Sequence, residues 1–131
     1  MDKLTFTMEN YLEAVYELSN GNQGTRLTDI AIKMDVTKAT ANTAMSVLSE
    51  KKLITNEKYH KIYLTEEGLK LAKIISEKHQ VIQKFFTEVL NIDNTIANTD
   101  ACAIEHVISN YSITAMNNFL NNVWIKNSLN K

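Results

Sequence analysis

The sequence predicts a mainly α fold, a winged helix-turn-helix unit followed by an all-helical lobe. Three observations predict it. The 131 residues include no proline and only three glycines, Gly21, Gly24 and Gly68, so few positions interrupt a helix. Apolar residues recur at helical spacing through most of the chain. The clear departure is a pair of β-prone stretches around a basic polar tip between Leu53 and Leu64.

The first helix is predicted from near Thr7, where Leu12, Val15, Tyr16 and Leu18 form an apolar stripe, and the polar run from Ser19 to Gly24 ends it. A short second helix is expected from Thr28, as its cap, through Met34. Asp35-Val36-Thr37 reads as a tight connection. Thr37 is placed to cap a third helix from about Lys38 to Lys51, with Ala41, Ala44, Met45 and Leu48 facing inward.

Leu53-Ile54 and Ile62-Tyr63-Leu64 then read as the strands of a wing. A lone hairpin is unstable in water, so it must rest on the preceding helices, which bounds a first domain at residues 1–64. Thr65-Glu66-Glu67-Gly68 opens a long helix whose acidic first turn suits the positive end of the helix dipole. It is expected to carry His79 away from the first domain. Two more helices are expected over about Asp93 to Ser109 and Ser112 to Asn127, completing a second domain at 65–131. The apolar residues of that lobe, among them Ile96, Val107, Ile113, Phe119 and Trp124, exceed what one small lobe buries easily, so a homodimer is expected beside the alternative of an internally satisfied core.

Composition restricts the function classes. An apolar share of 44% and a charged share of 22% are those of a globular protein, and no stretch reaches the about 20 apolar residues of a membrane span. The N-terminus has no apolar core after its lysine and no small-residue cleavage site, so the cytoplasm is expected. A single cysteine, Cys102, cannot form an intramolecular disulfide, and a reducing compartment would keep its thiol available to metal.

The net charge of −1 hides a basic middle. Between Gly21 and Lys61 stand Arg26, Lys33, Lys38, Lys51, Lys52, Lys58 and Lys61 against Asp29, Asp35, Glu50 and Glu57. Mixed charge alone also describes a solvated surface with no partner. The helix-turn-helix adds direction, because the start of its second helix enters the major groove. That end displays Thr37, Lys38, Ala39, Thr40, Asn42 and Thr43. The hydroxyls and Lys38 suit phosphates or base acceptors, Ala39 and the threonine methyls suit thymine, and Asn42 suits adenine. Arg26, Thr28, Lys58 and Lys61 are expected to hold the backbone of double-stranded DNA.

Six candidate metal ligands lie on three separate segments: Asn10 and Glu13, then His79, then Cys102, Glu105 and His106. On a helix, positions i, i+3 and i+4 put the thiol, carboxylate and imidazole on one face, the donor set of a divalent transition metal. Singly, each has an ordinary explanation as a small buried hydrophobe, a helix histidine or a solvated charge. Together, a partly buried thiol and two carboxylates are costly to desolvate unless a cation compensates them.

Several of these segments resemble the diphtheria-toxin-repressor family of metal-dependent regulators, with its iron-dependent and manganese-transport-regulator branches. The resemblance rests on Met8-Glu9-Asn10-Tyr11-Leu12-Glu13 with Tyr16-Glu17-Leu18, Leu27-Thr28-Asp29-Ile30-Ala31 and Leu64-Thr65-Glu66-Glu67-Gly68. Lys78-His79 and Asp100-Ala101-Cys102 with Glu105-His106-Val107-Ile108-Ser109 complete it, so that it covers almost the whole chain. It implies a homodimeric winged-helix repressor that binds operator DNA when loaded with Mn(II) or Fe(II) and controls metal-uptake genes, with no organic cofactor.

Within the resemblance, Cys102, Glu105 and His106 match ligands of the iron branch, and Glu13 and His79 match ligands of the manganese branch. Asn10 matches neither, standing where the manganese type has aspartate and the iron type methionine. Gln83 and Asn98 replace a glutamate and a histidine of the iron branch's other metal site, which implies that this site does not form as such. Nothing after Trp124 is long enough for the small barrel-like domain of the iron branch, so the length resembles the manganese type. A thiolate favours Fe(II), Co(II) or Zn(II), hard oxygen donors favour Mn(II), and the sequence leaves the ion open.

The expected mechanism is that metal ties Asn10 and Glu13 to His79 and the Cys102-to-His106 face, favouring a dimer whose recognition helices stand about 34 Å apart, one DNA turn. Two rivals are a winged-helix regulator governed by an organic ligand or by Cys102 oxidation, and a hydrolytic metalloenzyme. Against the enzyme stand the lack of an HExxH arrangement, of a readable Ser-His-Asp triad and of a Gly-rich phosphate loop.

Overall fold

The structure, a computed structural model, describes residues 4–20, 23–57 and 61–129, with side chains described up to Asn122. Lys58 and the side chain of Trp124 therefore lie outside the described residues. The elements run α1 (Phe6–Ser19), α2 (Leu27–Met34), α3 (Lys38–Glu50), β1 (Ile54–Thr55), β2 (Tyr63–Leu64), α4 (Glu66–Glu88), α5 (Asn94–Ile104) and α6 (Asn110–Leu129). The chain clusters into two compact units, Met1–Ile74 and Ile75–Lys131, with the division inside α4. Among the described residues no helix is long and apolar enough to cross a membrane.

In the first unit α1 begins one residue before Thr7, because Thr5 caps it by accepting from the Met8 amide at 3.2 Å. Its stripe of Leu12 and Val15 is fully buried, together with Ile30 of α2 and Ala41, Ala44, Met45 and Leu48 of α3. α2 differs from expectation: Thr28 lies inside the helix, and Arg26 is the cap residue with no side-chain bond. The cause is the preceding residue. Thr25 exchanges backbone bonds with Ile62, at 2.9 and 2.7 Å, and the chain turns into the helix as soon as that bridge ends. Asp35 then takes a left-handed conformation (φ 55°) to close α2 ahead of Thr37, whose hydroxyl accepts from the Thr40 amide at 3.1 Å and caps α3.

The wing is antiparallel, pairing Ile54 with Leu64 and Thr55 with Tyr63. Buried Ile54 and Ile62 fasten it to the helices. Gly68 explains how the chain leaves the wing: a Cβ there would lie 1.9 Å from the Leu53 carbonyl oxygen, so only glycine lets the first turn of α4 come this close. Thr65 secures the same junction, donating its hydroxyl to the Lys52 carbonyl at 2.7 Å and accepting from the Gly68 amide at 3.1 Å.

In the second unit the later part of α4, α5 and α6 enclose Ile75, Ile82, Ala97, Ala101 and Leu120. Phe85 and Phe119 meet edge to face at 5.8 Å between ring centroids. Asn91, with φ 54°, turns the chain out of α4, and the Asp93 carboxylate caps α5 by accepting from the Thr95 amide. α5 stops at Ile104, short of the expected Ser109, because the Ile104 carbonyl accepts from both Val107 and Ile108 at 2.9 Å and tightens the chain into a turn. The Lys78 ammonium donates to the Ile108 carbonyl at 3.3 Å, and the Ser109 hydroxyl caps α6.

Candidate functional site

Four of the six candidate ligands fall within the second unit. His79 lies on α4, Cys102 in the last turn of α5, Glu105 at its C-cap and His106 one residue beyond. The shortened helix does not scatter them, because Glu105 keeps right-handed helical angles (φ −55°, ψ −28°) and its amide still bonds to the Ala101 carbonyl. The i, i+3 relation of thiol and carboxylate therefore survives the end of the helix.

Glu105 is the centre of the group. Its side chain is fully buried, with Oε2 3.3 Å from Nδ1 of His79 and Oε1 3.3 Å from Nε2 of His106. One donor atom each from His79, Cys102 and Glu105 lies within 4.8 Å of the others. An ion with bonds of 2.0 to 2.3 Å needs donors roughly 3.4 Å apart in a tetrahedral set, a spacing that small side-chain rotations here would reach. Imidazole, thiol and carboxylate are donors that Zn(II), Co(II), Fe(II) and Mn(II) accept, so the chemistry of the set fits a divalent transition metal. Cys102 differs from expectation in being exposed, although its donor atom belongs to this cluster.

Asn10 and Glu13 belong to the first unit, one turn apart on the same face of α1 and half-buried.

A set of polar residues beside His79 was not among the expected ligands. His79 Nε2 lies 3.0 Å from Gln83 Oε1 and 2.9 Å from Asn98 Oδ1, and the Gln83 amide donates to Asn94 Oδ1 at 2.9 Å. The signals in the sequence are the i, i+4 spacing of His79 and Gln83 and the family resemblance, in which Gln83 and Asn98 replace a glutamate and a histidine of the iron branch's other metal site.

The candidate DNA face belongs to the first unit. Lys38, Ala39, Thr40, Asn42 and Thr43 are exposed on α3, opposite the buried Ala41, Ala44, Met45 and Leu48, and Thr37 is exposed at its cap. The Thr43 hydroxyl donates to the Ala39 carbonyl and that of Thr37 donates to Thr40, which turns part of the hydroxyl set back onto the helix. Arg26 and Thr28 are exposed around the start of α2, and Lys61 is exposed next to buried Ile62.

With this geometry established, comparison with known proteins is specific. The iron dependent repressor N-terminal DNA binding domain matches residues 3–62, and the iron dependent repressor metal binding and dimerisation domain matches residues 65–124. An uncharacterised helix-turn-helix transcriptional regulator of Methanocaldococcus jannaschii is 29% identical over 115 residues, covering 87% of this chain and 92% of its own. The transcriptional regulator MntR of Shouchella clausii is 30% identical over 105 residues, covering 80% of this chain and 73% of its own. The solved structure of the manganese regulator SloR superposes with a TM-score of 0.75 at 29% identity over 87% of this chain. The chain spans about half of that regulator, 53% of its length. Because two successive family domains match in order across nearly all of its residues, the chain belongs to the iron-dependent repressor family, a family of transcriptional regulators and not of enzymes.

Proposed function

We propose that this protein is a homodimeric, metal-dependent transcriptional repressor that binds operator DNA when loaded with Mn(II) or Fe(II) and so controls metal-uptake genes in the cytoplasm. The observation that carries the reading is the gathering of His79, Cys102 and Glu105 donor atoms within 4.8 Å, in the half of the chain matching a metal binding and dimerisation domain. His79, Cys102, Glu105 and His106 hold the ion, and Asn10 and Glu13 on α1 are its remaining ligands. When bound, the ion supplies positive charge that offsets the buried Glu105 carboxylate and the Cys102 thiolate. Co(II) and Zn(II) suit the imidazole and thiol donors and are expected to bind in vitro.

The chain's own residues perform the DNA step. Thr37 orders the first turn of α3, Lys38 neutralises a phosphate, and Asn42 and the Thr40 hydroxyl read base edges. Arg26, Thr28, Lys58 and Lys61 hold the backbone on either side. Exposed Val107, Tyr111 and Ile96 in the second unit support a face that a second copy covers.

The test uses duplex DNA selected from a random pool by the manganese-loaded protein. Fluorescence anisotropy should show tight binding with Mn(II) or Fe(II), loss with chelator, and no metal response in Glu105→Gln or His106→Ala. Binding indifferent to chelator but abolished by oxidation of Cys102 would overturn the reading and favour a thiol-based regulator.

A further inference from the structure

We propose that Gln83, Asn98 and Asn94 are positioning residues that lock His79 in its Nε2–H tautomer, so that Nδ1 faces Glu105 as a bare lone pair. The proposal deepens the metal-site reading and rests on it for its purpose. The argument itself needs only hydrogen bonds.

A neutral imidazole has one donating and one accepting nitrogen, and its partners decide which is which. Around His79, Nε2 meets two amide oxygens, Gln83 Oε1 at 3.0 Å and Asn98 Oδ1 at 2.9 Å. A proton on Nε2 serves both. A lone pair there would face two partial negative charges.

The Gln83 amide takes its orientation from elsewhere. Its nitrogen donates to Asn94 Oδ1 at 2.9 Å, which turns its oxygen toward the imidazole. Donation thus runs from His79 through Gln83 to Asn94, with Asn98 accepting in parallel. Asn94 and Asn98 sit one turn apart on α5, and His79 and Gln83 one turn apart on α4, so two rigid helices hold the relay.

At the other end of the ring, Nδ1 stands 3.3 Å from Glu105 Oε2. Two lone pairs facing each other at that distance repel, and a shared cation reverses the sign. The relay therefore prepares the nitrogen that joins the donor cluster. The amides carry no charge of their own, so this cluster orients a ligand and does not itself make a second ion site.

The experiment is a long-range 1H–15N correlation spectrum of the imidazoles in the full-length, metal-free protein, at a pH where the rings are neutral, with His79 identified by its loss in His79→Gln. The expected result is the Nε2–H pattern for His79, its replacement by a tautomer mixture in Gln83→Leu/Asn98→Leu, and its return with Asn98→Asp, which keeps an acceptor. Titration of the same proteins with Zn(II) should show affinity lowered about 10- to 100-fold in the double leucine variant and restored in the aspartate variant. An Nδ1–H pattern in the unmodified protein, or a tautomer unmoved by the double leucine change, would overturn the proposal. The two readings fail separately: an Nδ1–H ring in a protein that binds Zn(II) removes the relay alone. An Nε2–H ring in one that binds no metal removes the metal site and leaves the relay standing.

Discussion

Nδ1 of His79 stands 3.3 Å from Oε2 of Glu105, and the other oxygen of that carboxylate stands at the same distance from Nε2 of His106. One buried acid thus faces two imidazoles from separate segments. A carboxylate shielded from water in this way is costly unless positive charge answers it, so ligand exchange at Glu105 should have large consequences for metal and small ones for folding.

Glu105→Gln is nearly isosteric but removes the charge. Metal affinity should fall by at least about 100-fold, while the metal-free protein stays as stable or gains slightly because a neutral amide costs less to bury. Calorimetric titration with Mn(II) and Zn(II), together with a thermal melt, measures both. Unchanged affinity would remove Glu105 from the site.

Cys102 should set selectivity more than affinity as such. Cys102→Ser is expected to weaken Zn(II) and Co(II) by about 10-fold or more while changing Mn(II) less, because the thiolate favours softer ions. Competition against a chromophoric chelator separates the two responses, and the Co(II)–thiolate absorption band should vanish. Equal losses for all three ions would show that sulfur is not a ligand.

On the candidate DNA face, Lys38→Glu should weaken binding across all sequences and lower the slope of log affinity against log salt by about 1 or more. Thr40→Ala should instead relax preference at one position. Thr37→Ala loses the cap on α3, which accepts from the Thr40 amide at 3.1 Å, and should destabilise the fold by about 1 kcal/mol. Anisotropy across a salt series and urea denaturation check these outcomes.

Gly68→Ala should be among the most damaging small substitutions. The added methyl would lie 1.9 Å from the Leu53 carbonyl oxygen, a backbone atom that cannot rotate away. A loss of about 1 to 3 kcal/mol is expected from the forced separation of α4 and the wing, read as a lower urea midpoint.

For the dimer, Tyr111→Glu places a charge at a residue 85% exposed in the isolated chain. If α6 forms the face that a second copy covers, sedimentation should show a shift to monomer without loss of Zn(II) binding. A dimer that survives this change would place the contact elsewhere.

Much of the local structure could be read from the sequence. The stripes of α1 and α3, the Thr37 cap and the two wing strands depend on neighbours a few residues away, so spacing and side-chain chemistry determine them. The donor types were legible for the same reason: Cys102 and Glu105 share a face because they are three residues apart. Spacing failed where backbone bonding departed from the regular helical pattern, once through a distant segment and once within a local turn. Thr25 bonding to Ile62 moved the start of α2, and the doubly accepting Ile104 carbonyl ended α5 before His106.

Only tertiary structure decided that His79 meets Glu105, that Gln83 and Asn98 rather than a charged group close on its far nitrogen, and that Ile96, Val107 and Tyr111 face outward. Periodicity states which residues share a helix face. It does not state which face meets which, because that depends on how whole helices fit together, a balance of buried area and steric fit summed over many side chains at once.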